Sequence, residues 1–291
     1  MKYIFTQADD TTIIYSGSDV KFNIYHADLD MLMLGKYLCA NGLTVNLNKT
    51  YHIHFRSRQR QIDTRQLSQI KLYERPIELR SEVKLLGIIL DEYLDWRSHT
   101  MNLRKDLSRI SGMLYKLKNI LPQRPKQNIY YSLMHSRIMY GIVTWGKTAS
   151  SNLSSLQRVQ NMCLKSIFRL PNRFPTISLF QQVQHGMLSI KAIHTFETIL
   201  MVYKIRNNMV ASNISFVENL SQYSSRNPHQ LRLPSITRTN YGIKRFSYLG
   251  PHIFNTFLRE IGRSVGYFIN MKINKFKFIV RDHIFLLWFP I

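Results

Sequence analysis

The chain is poor in cysteine and, beyond its first third, poor in acid. Two cysteines in 291 residues, Cys39 and Cys163, exclude a disulfide-stapled scaffold and any four-cysteine zinc site. That usage suits a reducing, intracellular compartment. No stretch approaches the roughly 18 uninterrupted apolar residues of a membrane span, so neither a spanning helix nor a secretory peptide is expected. There is no glycine-rich phosphate loop ending in Lys-Ser/Thr and no nucleophile elbow. What is present is apolar and aromatic material, 45% hydrophobic residues with 16 Tyr, 16 Phe and 3 Trp. That supply suffices for a packed core and argues against general disorder.

Charge is unevenly spread. The chain has 40 Lys and Arg against 17 Asp and Glu, a formal net of +23. Residues 1–100 hold 13 basic and 12 acidic side chains, whereas residues 101–291 hold 27 and 5. A field of that sign attracts polyanions, nucleic acid first and an anionic membrane surface second. A merely soluble basic surface would have the same composition. The acids of the first third make it the better place for metal chemistry.

Tyr3–Phe5 and Thr11–Tyr15 are short β-prone runs around Gln7-Ala8-Asp9-Asp10, which predicts a strand, an acidic tight turn and a second strand. Asn23 to Leu38 reads as a helix, with Ile24, Ala27, Met31, Leu34 and Leu38 at intervals of three and four. Asn41-Gly42 is its stop. Leu43, Val45 and Leu47 then alternate with polar residues, the strand period, and Lys49 and Thr50 close that strand. Residues 56–70 read as a polar, basic loop. Two strands follow, Ile70–Tyr73 and Val83–Leu90, and Gly87 inside the latter marks a bulge, a turn or a close backbone approach.

Beyond Trp96 the texture is helical. Leu103, Leu107, Ile110, Leu114, Leu117 and Leu121 mark one helix face, with Gly112 a weak point and Pro122 and Pro125 its end. A helix from Lys126 to Tyr140 follows, with Pro125 at its first position. The next runs from Leu153 to about Leu170. At about 100° per residue, Arg158, Lys165 and Arg169 fall within about 40° of one another, opposite Leu153, Leu156, Cys163 and Ile167. This stripe is the local candidate for phosphate contact, and an ordinary solvated face would look the same. Ser189 caps a helix to about Met209. Residues 211–240 read as a linker or long loop, and residues 241–291 as an aromatic, basic terminal unit whose Phe285–Phe289 run docks on a core.

Adjacent carboxylates are costly without a positive partner, and Mg²⁺ or Mn²⁺ would be a natural one for Asp9 and Asp10. In nucleotidyl transfer two such ions about 4 Å apart activate the attacking oxygen and stabilise the leaving group. Two surface acids in a hairpin turn are the simpler account of the pair. Lys49, after a strand that returns near the hairpin, could neutralise a triphosphate, or be a surface lysine at a strand end. His52 and His54 share a strand face, but no histidine has metal-ligand spacing to carboxylates or cysteines.

Phe5-Thr6-Gln7-Ala8-Asp9-Asp10-Thr11, followed by Ile14-Tyr15-Ser16, resembles the Tyr-Ala-Asp-Asp catalytic hairpin of reverse transcriptases, in the version found in non-LTR (LINE, jockey-like) retrotransposons. Gly42-Leu43-Thr44-Val45-Asn46-Leu47-Asn48-Lys49-Thr50 resembles the next palm motif. Val83 to Asp91, with Leu94-Asp95-Trp96 and His99, resembles the primer-grip region and the entry to the thumb. The likeness continues in Tyr131–Trp145, in Leu156–Asn161 and in Phe246–Asn255, so it covers almost the whole chain in family order.

The resemblance implies an α+β fold. Residues 1–97 would be the C-terminal part of a palm, antiparallel strands plus a helix. Residues 98–210 would be a thumb-like helical region, 211–240 a linker and 241–291 a basic C-terminal unit. It also implies RNA-directed DNA polymerase chemistry, with an RNA template and DNA primer or their hybrid, deoxynucleoside triphosphates, and Mg²⁺. Asp9 and Asp10 would then bind metal, Lys49 would lie near the triphosphate, and Gln7, Leu86 and Gly87 would lie near the primer. Gln7 stands where the family has an aromatic residue, which removes stacking area. The chain starts eight residues before Asp9, so the fingers and a further aspartate-bearing strand are expected to be missing. A truncated, inactive fragment is the resulting expectation, with an exposed palm surface that favours association with another chain. The alternatives are a non-catalytic nucleic-acid-binding remnant and a decayed reading frame. Charge and family together point to the nucleus, or otherwise the cytoplasm.

Overall fold

The computed structural model describes residues 1–7, 10–59, 69–182, 187–218, 230–236, 242–268 and 271–288. The architecture is mixed α+β, with short two-stranded sheets in the first third and helices beyond. The chain divides into two compact units, Met1–Asp95 and Trp96–Ile291.

In the first unit, β1 (Lys2–Gln7) and β2 (Asp10–Tyr15) form an antiparallel hairpin with Gln7 opposite Asp10. Helix α1 (Val20–Ala40) starts where Asp19 accepts from the Lys21 N–H at 2.8 Å, and stops at Asn41 with Gly42 at a φ of 65°. The expected helix is found, begun three residues earlier because Asp19 supplies an N-cap. Ile24 and Ala27 are buried with Ile70, Leu72 and Ile77 in a small core, and Met31 packs at its edge. Gly35 lets the helix approach β4 (Lys71–Leu72), since a Cβ there would stand 3.2 Å from Leu72 Cδ1.

The strand expected over Leu43–Leu47 does not form. The Asn46 side chain accepts from the Asn48 N–H at 3.0 Å, and its carbonyl accepts from Lys49 N–H and Thr50 Oγ1, which winds Leu47–Lys49 into a 3₁₀ turn. An Asn that satisfies its own backbone two residues on competes with a ladder. Pairing resumes at β3 (Tyr51–His52), which runs parallel to β6 (Glu78–Leu79) and so departs from an antiparallel set. β4 pairs with β5 (Arg75–Pro76), and β7 (Glu82–Leu85) with β8 (Ile88–Asp91), both antiparallel. The interrupted strand Val83–Leu90 is therefore a hairpin. Leu86 and Gly87, at φ 47° and 82°, make its turn, the two-residue left-handed kind that matches strand twist.

In the second unit, α2 (Arg97–Lys116) presents Leu103, Leu107, Ile110 and Leu114 to α6 (Ser150–Ile167). Leu156, Cys163 and Ile167 of α6 are buried as expected, together with Val159 and Leu164. Gly112 does not interrupt α2, which ends one turn short of Leu121. The helix expected over Lys126–Tyr140 is found as one continuous run, in which α3 (Gln123–Ile129) passes through a π-helical stretch, Tyr130–His135, into α4 (Ser136–Met139) with helical dihedrals at both junctions. Pro125 sits at the third helical position rather than the first, because Pro122 is the N-cap. After α5 (Ile142–Trp145) and α6 come α7 (Thr176–Gln182) and α8 (Ile190–Arg206). Ser189 caps α8, accepting from the Ala192 N–H at 3.3 Å. α9 (Phe246–Glu260) and α10 (Ile273–Trp288) pack on α8, and Tyr203 stacks on Phe276 with ring centroids 4.0 Å apart. The stretch read as a linker contributes to this core where it is described, for Leu231 is only 2% exposed. No described helix is long and apolar enough to cross a membrane.

Candidate nucleic-acid interface

Asp9 lies outside the described residues. Gln7 and Asp10 are the last pair of the β1–β2 hairpin, at the end where the chain passes from one strand to the other, and both are exposed. Lys49 is exposed at the end of the 3₁₀ turn, and no hydrogen bond or ion pair joins it to Asp10. Leu86 and Gly87 form the β7–β8 turn, with Leu86 49% exposed.

The other carboxylates near the hairpin are committed. Asp30 accepts from Tyr15 Oη at 2.5 Å and pairs with Lys2 at 2.7 Å. The Lys2 ammonium and the Tyr15 hydroxyl together hold the Asp30 carboxyl below its ordinary range. Asp28 accepts from the Lys71 N–H, and Asp19 caps α1. A divalent ion would thus meet Asp10 as the one uncommitted carboxylate among the described residues of this hairpin and helix. Mg²⁺ is commonly held by one or two carboxylates together with waters and substrate phosphates, and Asp10 is the carboxylate that the described residues offer it. Among the described residues no group of three or more His, Cys, Asp or Glu could hold a metal. His52 and His54 do come together, ring centroids 5.1 Å apart, and burial lowers the pKa of each.

Near the β7–β8 hairpin, Tyr93 is flanked by two guanidiniums, Arg56 at 5.0 Å and Arg58 at 4.3 Å from its ring centre. Arg56 pairs with Glu92 at 2.8 Å and Arg58 with Asp95. These bases of the first unit are neutralised locally.

The second unit differs. From residue 107 to residue 196 there is no acidic side chain at all, against 12 Lys and Arg. Of the three residues predicted to form a stripe, Arg158 is exposed at the middle of α6, as expected. The other two correct the expectation, because α6 ends at Ile167 and not at Leu170. Leu170 N–H returns to the Lys165 carbonyl at 2.9 Å, and Arg169 adopts a left-handed φ of 56°. That is a Schellman stop with an arginine where glycine is the usual occupant. Lys165 donates to the Asn172 carbonyl at 2.7 Å, and Arg169 Nε to the Lys118 carbonyl at 3.3 Å. The three do not form one continuous face.

Periodicity did not reveal the cluster that forms instead. Lys126 is fully buried, and its Nζ donates to the carbonyls of Lys118 at 3.0 Å and Ser166 at 3.4 Å. Lys118 Nζ donates in turn to the Leu170 carbonyl at 3.2 Å. The ends of α2 and α6 thus collect ammonium and guanidinium groups, which suits the negative ends of helix dipoles. Burial, then Arg169 and Lys118, pull the Lys126 pKa down. The acid-free run was the signal in the sequence that could have located this cluster.

The chain is 27% identical over 176 residues to the probable RNA-directed DNA polymerase from transposon BS of Drosophila melanogaster, covering 57% of this chain and 18% of that protein. It is 25% identical over 172 residues to the RNA-directed DNA polymerase from mobile element jockey of the same species, covering 58% and 18%. The chain thus matches less than a fifth of the length of these curated relatives. No protein-family model matches it, and no solved structure does. By sequence the chain is similar, distantly and over part of its length, to transposon-encoded RNA-directed DNA polymerases.

Proposed function

We propose that the chain is a jockey-like reverse-transcriptase segment whose working property is nucleic-acid binding through its helical unit. The observation that carries this reading is the run of 90 residues, 107–196, without an acid, folded into helices whose ends gather cations. Polyanion binding by such a surface is driven by counterion release and is insensitive to sequence. In this reading Asp9 and Asp10 correspond to metal-binding residues, Lys49 to a residue near the triphosphate, and Leu86 and Gly87 to the primer-side turn. Gln7 stands beside the primer terminus. RNA template, DNA primer and deoxynucleoside triphosphates are the ligands of the complete site.

Two assays on the full chain test it. Primer extension on poly(rA)/oligo(dT) with Mg²⁺ or Mn²⁺ is expected to give no incorporation above an Asp9→Asn, Asp10→Asn control. Binding of a single-stranded oligonucleotide across a salt series is expected to weaken steeply. Incorporation above the control would overturn the non-catalytic reading, and a flat salt response would overturn the binding one.

A further inference from the structure

Arg169 holds a backbone conformation that disfavours any residue with a side chain, φ 56° at the end of α6. A non-glycine residue kept in that region points to a use for its side chain. Its Nε is spent on the Lys118 carbonyl, and no other partner of the guanidinium is found among the described residues. Behind it lies the ammonium of buried Lys126, which bonds the same carbonyl and has no carboxylate partner among the described residues. An anion would relieve the repulsion among Arg169, Lys118 and Lys126, the repulsion that helps depress the Lys126 pKa.

Arg169 also lines a cleft of about 380 Å³, whose other walls are Ile120, Pro122, Gln123, Ile167 and Phe168. That volume lies within the range of ligand sites. A bare phosphate would gain from Arg169 and nothing from the aliphatic and aromatic walls. A flat apolar body with an anionic end and hydrogen-bonding edges would use all of it.

We propose that this cleft seats one unpaired nucleotide of a single strand, its base against Phe168 and Ile120 with an edge toward Gln123, and its phosphate on Arg169. A duplex keeps its bases stacked inside, so the cleft selects single strands. The proposal rests on the nucleic-acid reading above and adds a base-dependent component to it. Base–aromatic stacking is sequence-tolerant and makes a contribution of about tenfold in affinity.

The test uses the full chain and two labelled 15-nucleotide single strands of equal charge, one ordinary and one with abasic sugars throughout, titrated by fluorescence anisotropy. The ordinary strand is expected to bind about tenfold more tightly. The difference is expected to shrink to twofold or less in Arg169→Gly and in Phe168→Leu. Glycine suits the left-handed position, so Arg169→Gly is expected to keep or raise the unfolding midpoint. Phe168→Leu keeps apolar packing and removes the ring. Equal affinity of the two strands for the wild-type chain overturns the cleft and leaves the broader reading intact, as does a difference that persists in both variants. If neither strand binds, both proposals fall. The wild-type comparison needs no variant, so a folding defect cannot mask the result.

Discussion

The side-chain amide of Asn255 closes both backbone hydrogen bonds of Leu231. Leu231 N–H donates to Oδ1 at 2.8 Å, and Nδ2 donates to the Leu231 carbonyl at 2.8 Å. Both residues are buried, so this clamp ties residues 230–236 to α9. Replacing Asn255 by Ala leaves a buried donor and a buried acceptor unpaired. The expected cost is about 2–5 kcal/mol, read from urea unfolding. Asn255→Asp is expected to cost a similar amount, since a carboxylate oxygen would face the Leu231 carbonyl.

His194 is a second point where packing leaves little freedom. A Cβ on Gly146 would stand 2.3 Å from His194 Cδ2 and 2.5 Å from the Ile142 carbonyl oxygen. Gly146→Ala is therefore expected to destabilise by about 1–3 kcal/mol, the usual range for overpacking.

The imidazole itself makes stability depend on pH. Burial, with a smaller contribution from Lys147, lowers the His194 pKa from its ordinary 6.5 to about 4. Between those values the unfolded chain binds a proton that the folded chain does not, so stability falls as pH drops from 6.5 toward 4. The loss expected from this group is roughly 3 kcal/mol at the lower end. A urea midpoint series over that range checks it, and His194→Gln should flatten the dependence.

Helix α1 carries an apolar stripe opposite the one it buries. Phe22, Tyr25 and Met33 are 61%, 59% and 70% exposed. Patches of this kind drive association. Replacing all three by Gln is expected to lower light scattering at fixed protein concentration while leaving the far-UV spectrum unchanged.

Legibility in the sequence followed how local each cause is. The β1–β2 hairpin and α1 could be read because alternation, Asp19, Asn41 and Gly42 act within a few residues. The same alternation misled at Leu43–Leu47, where Asn46 turns the chain and the described residues provide no partner strand. Counting charge by region located the basic unit, because composition survives folding. The cation cluster could not be read from helix phase. Lys118, Lys126 and Arg169 meet only because α2, α3 and α6 pack together, and Arg169 leaves the helix two residues after its last turn.

Within that unit the cations should not contribute equally to binding. Arg158 is exposed on α6, whereas the ammonium of Lys165 is held on the Asn172 carbonyl. Arg158→Gln is expected to reduce the slope of log K against log salt by about 0.7–0.9, the value for one phosphate contact. Lys165→Gln is expected to change it by less than half of that.

Photocrosslinking of the full chain to a 4-thiouridine-substituted single-stranded RNA, with crosslinked peptides mapped by mass spectrometry, tests the central claim most directly. The expected result is that crosslinks concentrate in residues 96–291 and thin out as salt rises, with peptides spanning 107–173 prominent. Crosslinks confined to residues 1–95, or a pattern indifferent to salt, would contradict the assignment of nucleic-acid binding to the helical unit.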